Sequence, residues 1–413
     1  MQEFMQLDRN LKLRTLTVFL VVLLGSSVGP NMTIYYVKYF GAVITGILLV
    51  IVSISGFFGG LVGGYLADKW GRKPVMYIAS GMMILGYLLA AAMNSPWYVN
   101  PFITFFGFFL ANLGSSFADP AQQAMMIDSS TPQNRTYVYS LIYWILNIGV
   151  MIGAAIGGWF FRDYLFELMM GLLLVAIVEF AIVYFGMTET FFPTAESRAK
   201  QPSLWGGIKS YRSVLVDHRF VIFMLGSIGM TVIFTQPDFY LAAHLGEAFQ
   251  TTRQFGIQIY GQRMLSVMTM INTVIIIVMM TMFTRWTGGW SIRRSITIGI
   301  FLQAAGFAGA FLTESFWPLV IMSVVLTVGE MINVPASQTL RADMMNPEQL
   351  GTYAGAFAAT RPVGMIISSL MVSLSHYVGN VGIAALLMVL SLVTIWLILR
   401  ATKMAATFEP FTN

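Results

Sequence analysis

Gly64-Tyr-Leu-Ala-Asp68-Lys-Trp-Gly71-Arg-Lys73 is a short polar segment between two long apolar runs of the chain. A membrane-spanning helix needs about 20 largely apolar residues, and both neighbouring runs reach that length. Gly71 permits a tight turn, and the cations on either side of it favour the cytoplasmic face of a bilayer. The segment therefore predicts a short cytoplasmic loop that joins two transmembrane helices.

The composition of the whole chain agrees with this prediction. Of its 413 residues, 57% are hydrophobic and 10% are charged. Soluble domains carry roughly a quarter charged residues, so this chain lacks the polar surface that a soluble fold needs. It has no cysteine and three histidines, none of them in a pattern typical of a metal site. Disulfide, thiolate, haem and metal chemistry are therefore not expected.

Apolar runs of transmembrane length recur along the chain, and we interpret them as twelve membrane-spanning helices. The polar stretch 189–217 separates six runs in residues 1–188 from six runs in residues 218–413. We therefore expect an all-α membrane protein made of two six-helix bundles and a cytoplasmic linker. The predicted spans are 14–37, 42–66, 74–94, 101–126, 137–160, 165–188, 219–243, 256–284, 292–313, 317–340, 350–376 and 380–400.

The basic residues predict the orientation of these spans. If both termini are cytoplasmic, 18 of the 23 lysines and arginines lie on the cytoplasmic side and three lie outside. Cytoplasmic loops of membrane proteins carry such an excess of positive charge. The net charge of +5 is explained by this orientation, so we expect no nucleic-acid binding.

The two halves share a repeated segment. Pro120-Ala-Gln-Gln-Ala-Met-Met-Ile-Asp128-Ser-Ser-Thr-Pro132 ends the fourth span, and a shift of 215 residues gives Pro335-Ala-Ser-Gln-Thr-Leu-Arg-Ala-Asp343-Met-Met-Asn-Pro347 at the end of the tenth. Five positions match without a gap. Chance is one explanation, but a six-plus-six duplication also accounts for the placement. Duplicated halves with a substrate site between them are typical of secondary transporters.

The opening segment resembles the cytoplasmic loop signature G-x-L-A-D-[KR]-x-G-R-[KR] of the major facilitator superfamily at every fixed position. The resemblance implies the twelve-helix fold of that family and a conformational switch in this loop. In the switch, Asp68 docks on the N-terminal end of the eleventh span and on charges such as Arg72 and Asp128. A solvated turn without a switching role is the alternative. The expected switch residues are Gly64, Asp68, Gly71, Arg72, Asp128 and Asp343.

Further segments resemble the drug/proton antiporter group of this superfamily. They are Met32-Thr-Ile-Tyr-Tyr36, Gly71-Arg-Lys-Pro-Val-Met76, Tyr260-Gly-Gln-Arg-Met264 and Met345-Asn-Pro-Glu348. The resemblance implies multidrug efflux, driven by the proton gradient without a cofactor, and with it antibiotic resistance. The chain departs from the group at Ala154, where a proline is typical, and at Ile142, where a relative has an aspartate. These departures keep a selective transporter of the same fold, a metabolite symporter or a lipid flippase, as the alternative.

Ionisable residues inside the predicted spans are functional candidates, because a charge in the bilayer core is costly. Glu330, in the tenth span, has apolar neighbours that favour a protonated carboxyl, and we expect it to bind protons and cations. A structural ion pair with Arg361 is the alternative. Glu179, in the sixth span, is expected to remain a neutral acid.

Two further acids are candidates for proton coupling. Asp238 and Arg263 lie in the outer halves of neighbouring spans, and we expect them to pair. The pair is either a latch that protonation opens or a fixed strut, and the resemblance favours the latch. Asp119, directly before Pro120, either takes the place of the acid missing at Ile142 or caps a kink. The proton-coupling candidates are therefore Glu330, Asp238, Asp119 and Arg263.

A substrate cavity is expected to combine acidic and aromatic side chains, which attract lipophilic cations. The substrate-binding candidates are Glu330, Asn147, Tyr143, Trp144, Gln236 and Tyr240. Packing or lipid contact explains each aromatic residue equally well. No nucleophile–base pair or phosphate-binding loop is present, so we expect a transporter and not an enzyme. We expect a monomer in a bacterial cell membrane, with protons, lipophilic small molecules and the lipid bilayer as partners.

Overall fold

The computed structural model describes residues 2–131, 133–192, 212–346 and 349–404. Pro132, Pro347, Glu348 and residues 193–211 of the predicted linker lie outside the described residues. The first half contains the helices α1 (Gln2–Met5), α2 (Arg9–Trp70), α3 (Arg72–Ala92), α4 (Pro101–Asp128), α5 (Arg135–Phe160) and α6 (Leu165–Ala181), and the π-helical turn Ile182–Gly186.

The second half is helical in the same way. Its elements are α7 (Arg212–Val216), α8 (His218–Phe234), a 3-10 turn (Gln236–Asp238), α9 (Tyr240–Ala248), α10 (Gly261–Thr287), α11 (Ile292–Phe311), α12 (Phe316–Met344), α13 (Leu350–Ala358) and α14 (Thr360–Lys403). Two short antiparallel hairpins complete the described structure. They are β1 (Asn94–Ser95) with β2 (Tyr98–Val99), and β3 (Thr252–Gln254) with β4 (Ile257–Ile259).

Two helices are longer than one membrane crossing. The 62 residues of α2 extend about 90 Å, whereas the hydrocarbon core of a bilayer is about 30 Å thick. The backbone of α2 turns at Gly41 (φ 75°), and that of α14 turns at Gly379 (φ 65°). Glycine adopts this left-handed conformation without steric cost. Both glycines fall between predicted spans, so each long helix consists of two helices joined at a glycine.

In the described part of the chain, nine helices are long and apolar enough to cross a membrane, with α2 counted once. The predicted span 219–243 differs from them. It is broken after Phe234 by the 3-10 turn Gln236–Asp238, and α9 begins at Tyr240. Pro237 lacks the N–H that a continuous helix needs. The single helix expected over this range is therefore two shorter helices.

The chain forms two compact units. One contains Met1–Gly29 and Ile54–Leu204, and the other contains Pro30–Ser53 and Trp205–Asn413. The segment that includes the glycine turn of α2 therefore packs with the second half of the chain. The six-plus-six division inferred from the repeat stays a prediction, because this grouping describes packing and not ancestry.

Small residues allow close helix packing in both units. In the first unit, a side chain at Gly86 would meet the backbone of Gly107, so α3 and α4 approach closely at this point. In the second unit, a side chain at Gly46 would meet Ser373, whose hydroxyl donates to the carbonyl of Val43 (2.8 Å). Backbones in contact leave no room for a β-carbon, which explains the glycines at these positions.

Candidate functional site

Glu330 lies at the end of a polar stripe on α12. Ser323, Thr327 and Glu330 have the spacing i, i+4 and i+7, so they share the face of α12 that meets α10. Ser323 Oγ donates to the carbonyl of Met268 at 3.0 Å. Asn272 Nδ2 lies 2.8 Å from Glu330 Oε2 and 3.1 Å from Thr327 Oγ1. The amide of Asn272 thus holds the carboxylate, a role that the sequence analysis missed.

The partners of Glu330 are neutral. Among the described residues, Glu330 and Arg361 form no salt bridge with each other, so this alternative is not observed. Arg361 acts electrostatically on Asp238 instead. Position along a helix can be counted from the sequence, but the direction in which Arg361 faces cannot. A carboxyl with neutral partners can bind a proton or a cation without first breaking a salt bridge.

Asp238 ends the 3-10 turn between α8 and α9. Its side chain is exposed, and its carbonyl accepts a hydrogen bond from Thr33 Oγ1 at 2.7 Å. The expected pair with Arg263 is absent. Arg263 is at the start of α10 and reaches back to β4, where it donates to the carbonyl of Gln258 (2.6 Å) and stacks on Tyr260 (4.7 Å to the ring centroid). A part for Asp238 or Arg263 in proton coupling stays a prediction.

Gln236 and Tyr240 are buried, contrary to the expectation that they line a cavity. Gln236 is 0% exposed and donates through Nε2 to the carbonyl of Val232 at 2.8 Å. Tyr240 is 2% exposed, donates to Asn380 Oδ1 at 2.8 Å and packs edge-on against Phe311. The break at Pro237 turns both side chains into the helix packing. Contact of Gln236 and Tyr240 with substrate stays a prediction.

The three candidates on α5 lie on one side of the helix. Tyr143 and Trp144 are each about half exposed, and Asn147 Nδ2 donates to the carbonyl of Tyr143 at 2.8 Å. The bond to the preceding turn satisfies the amide without any ligand. Contact of these side chains with substrate stays a prediction.

Asp119 is exposed on α4, and Gln123 Nε2 donates to its carboxylate at 3.1 Å. The helix continues through Pro120 without a break. Asp119 therefore does not cap an interruption of the helix. Its place in proton coupling stays a prediction.

The loop after α2 forms a charged cluster around Arg72. Arg72 bridges Asp68, and its Nε lies 3.5 Å from Asp128 Oδ2. The guanidinium also stacks on the ring of Phe191, 4.4 Å from its centroid. The expected contact of Asp68 with Arg72 is thus present, and Asp128 joins the cluster through Arg72. The exposed position of Asp68 makes its bridge energetically weak. Docking of Asp68 on the eleventh span stays a prediction.

Glu189, which the sequence analysis missed, caps the helix that follows this loop. Its carboxylate accepts hydrogen bonds from the backbone N–H groups of Arg72 (3.0 Å) and Lys73 (2.9 Å), the first residues of α3. A carboxylate at a helix N-terminus is stabilised by the unpaired N–H groups and the helix dipole. Gly71 has a φ of 104°, and a β-carbon there would lie 2.5 Å from Glu189 Oε2. The glycine of the loop signature therefore makes room for this cap.

Asp343 of the second half corresponds to Asp128 in the repeated segment, but its surroundings differ. It lies near the end of α12, where Arg219 acts on it electrostatically. No salt bridge of the described residues includes it. A β-carbon at Gly64 would meet Pro120 at 3.4 Å, an ordinary contact, so packing alone does not require glycine there. The switch roles of Asp343 and Gly64 stay predictions.

Sequence comparison gives relatives that are transporters. The model of the Major Facilitator Superfamily matches residues 15–369. The chain is 27% identical to a Na(+), Li(+), K(+)/H(+) antiporter of Planococcus maritimus, covering 90% of this chain and 91% of the relative. It is 25% identical to the multidrug resistance protein MdtH of Proteus mirabilis, over 81% of this chain and 79% of the relative.

Solved structures share the fold. A POT family transporter in complex with 5-aminolevulinic acid has a TM-score of 0.73 at 15% identity, over 96% of this chain and 97% of that one. A mutant of the nucleoside transporter NupG has a TM-score of 0.68 at 16% identity, over 96% and 99% of the two chains. The chain therefore belongs to the major facilitator superfamily and is a transporter of the cell membrane with multiple membrane-spanning helices, not an enzyme.

Proposed function

We propose that this protein is a proton-coupled multidrug exporter that moves lipophilic cations by alternating access. The observation that carries the proposal concerns the carboxylate of Glu330. It lies on the apolar helix α12, and its hydrogen-bond partner on α10, Asn272, is neutral. An ionised Glu330 attracts a cation, and a proton removes this attraction by neutralising the carboxylate. Proton and cation then exchange at one side chain. The cation/proton antiporter and the multidrug resistance protein among the relatives support this assignment.

The same proposal includes the topology and the energy source. Twelve crossings with both termini in the cytoplasm are supported by the glycine turns in α2 and α14 and by the positions of the basic residues. We also propose that the chain resembles the multidrug transporter LmrP. The protein is then a functional monomer and contributes to antibiotic resistance. The proton gradient drives transport without a cofactor.

A second candidate function is exchange of alkali cations for protons. The relative from Planococcus maritimus is an antiporter of this kind and aligns with 90% of the chain. The carboxylate of Glu330 and the hydroxyl of Thr327 are oxygen ligands, which suit such small hard cations. The POT and NupG structures share only the fold at these identities, so they do not favour a selective symporter.

The test uses the full-length protein in liposomes with an imposed proton gradient. Ethidium accumulation and proton flux driven by sodium are followed for the wild type, Glu330→Gln and the control Glu167→Gln. Glu167 is exposed in the first turn of α6, so its change alters a carboxylate without touching the proposed site. Transport of ethidium that is lost only in Glu330→Gln supports multidrug export.

Two results contradict the proposal. Wild-type protein that responds to sodium but not to ethidium or other lipophilic cations shows an alkali cation antiporter instead. Ethidium transport that is unchanged in Glu330→Gln removes Glu330 from the mechanism. A folded protein that moves neither class of cation overturns both candidates.

A further inference from the structure

The first compact unit contains a buried polar cluster that the proposed function does not use. Arg14 on α2 donates through Nη2 to Gln122 Oε1 at 2.6 Å, and Gln122 Nε2 donates to Glu179 Oε1 at 3.2 Å. Only 3% of Glu179 is exposed. A single glutamine on α4 thus connects a cation at one helix with a carboxylate at another.

One oxygen of this carboxylate is unsatisfied. Glu179 Oε2 is buried and has no hydrogen-bond partner among the described residues. An ionised carboxylate normally uses both oxygens as acceptors, and a buried acceptor without a partner is costly. A proton on this oxygen neutralises the group and removes most of that cost. The chemistry of this buried oxygen therefore suits a proton.

Charged or titratable side chains of neighbouring helices surround Glu179. Arg14 of α2 acts on it electrostatically, and Glu179 in turn acts on Tyr87 of α3. Asp119 of α4 lies within the electrostatic reach of Arg14. Arg14 is therefore shared between the buried Glu179 and the exposed Asp119. A change in the charge of either acid alters the hold of the other on this arginine.

We propose that Glu179 is a second proton-binding carboxylate, in the first half of the chain, with Arg14 as its exchangeable partner. When Glu179 is ionised, the amide of Gln122 links it to Arg14. When a proton from water bonds to Glu179 Oε2, the net charge of the cluster rises by one. The electrostatic attraction between Glu179 and Arg14 then disappears. Arg14 then turns to Asp119. Only the use of this proton in transport rests on the function proposed above.

Infrared difference spectroscopy tests the protonation without any substrate. Full-length protein in lipid nanodiscs is titrated from mildly acidic to mildly alkaline buffer, and the carboxyl stretching band is recorded. We expect a band that is present in the wild type, Glu167→Gln and Glu330→Gln but absent in Glu179→Gln. The conservative change Glu179→Asp should restore a band at a shifted position. Because Glu330 can contribute a carboxyl band of its own, the decisive signal is the component that only Glu179→Gln removes. A Glu179→Gln spectrum identical to that of the wild type overturns the proposal.

Arg14→Lys and Arg14→Gln test the exchangeable partner. Arg14→Lys keeps the cation, so the midpoint of the Glu179 band should stay near that of the wild type. Arg14→Gln removes the cation and should move this midpoint. An unmoved midpoint overturns the role of Arg14. Because Glu330→Gln retains the band in this assay, failure of the proposed transport function and failure of this inference give different results. If gel filtration shows that purified Glu179→Gln is misfolded, Glu179→Asp is compared with the wild type instead. An unshifted band in Glu179→Asp then counts against the proposal.

Discussion

Glu330 and Glu179 are similar carboxylates with different partners. Both lie on membrane helices, and both accept a hydrogen bond from an amide on a neighbouring helix, Asn272 at 2.8 Å and Gln122 at 3.2 Å. The amide of Gln122 also forms a hydrogen bond with Arg14, whereas the amide of Asn272 also forms one with the hydroxyl of Thr327. Glu179 is therefore linked through its amide partner to a cation, whereas Glu330 is linked only to neutral groups.

The difference suggests a division of labour. A carboxylate without a cation of its own can receive an external cation, because no internal positive charge repels the ligand. A carboxylate linked to an arginine already has its cation and exchanges it only for a proton. We therefore expect Glu330 to bind substrate and Glu179 to respond to protons alone. The following changes test this comparison in order of expected effect.

The largest effect is expected from Glu330→Gln compared with Glu179→Gln. Removing the charge from Glu330 should abolish ethidium transport and weaken ethidium binding about tenfold or more, because a hydrogen bond or contact to a charged group contributes about 1.5–3 kcal/mol. Glu179→Gln should leave binding within about twofold of the wild type. Fluorescence titration measures both. Equal loss of binding in the two variants would show that the two carboxylates are not distinct.

A cation can be given to Glu330 as well. Asn272→Arg should pair with this carboxylate and compete with the external cation, so transport in liposomes should fall severalfold. The control Asn272→Gln keeps an amide and should retain transport. Transport at the wild-type rate in folded Asn272→Arg would contradict the idea that neutral partners are needed.

A double-mutant cycle measures the link between Arg14 and Glu179. Arg14→Gln, Glu179→Gln and the double variant should show a coupling of about 0.5–3 kcal/mol in the free energy of unfolding, as groups of one network do. Arg14→Gln combined with Glu167→Gln is the control and should be additive. Unfolding in detergent, followed by tryptophan fluorescence, provides the measurement. Additive effects for Arg14 and Glu179 would break the link that distinguishes the two sites.

The smallest effect concerns the stability of the Glu330 site. Asn272→Ala removes two interhelical hydrogen bonds, to Glu330 and to Thr327, and each such bond is worth about 0.6 kcal/mol on average in membrane proteins. Thr269→Val is a suitable control, because the hydroxyl of Thr269 bonds within its own helix, to the carbonyl of Leu265. We expect the two variants to unfold at similar denaturant concentrations. A loss of several kcal/mol in Asn272→Ala alone would make this site structural.

The sequence predicted the membrane helices well because the bilayer sets their length. The glycine turns at Gly41 and Gly379 fall in the gaps predicted between spans, and the expected contact of Asp68 with Arg72 is present in the charged loop. Glu330 could be selected as a candidate as well, since an acid in an apolar run is visible without knowledge of the fold. These features depend on local sequence alone.

The partners of the acids could not be predicted in the same way. Helical depth can be counted along the chain, but the rotation of each helix about its axis is set by packing. Arg361 therefore acts on Asp238 and not on Glu330, and Arg263 bonds to a hairpin that the sequence did not reveal. Asn272 carries no charge, so nothing in its local sequence separated it from other polar residues in the spans.

The Glu189 cap has a mechanical consequence for the connection between the two halves. Glu189 belongs to the last residues before 193–211, and its carboxylate binds the first N–H groups of α3. The chain that leaves the first six helices is therefore anchored at the charged loop, not at the end of the last membrane helix. Residues inserted between Gly186 and Glu189 would therefore displace this anchor and remove the cap of α3.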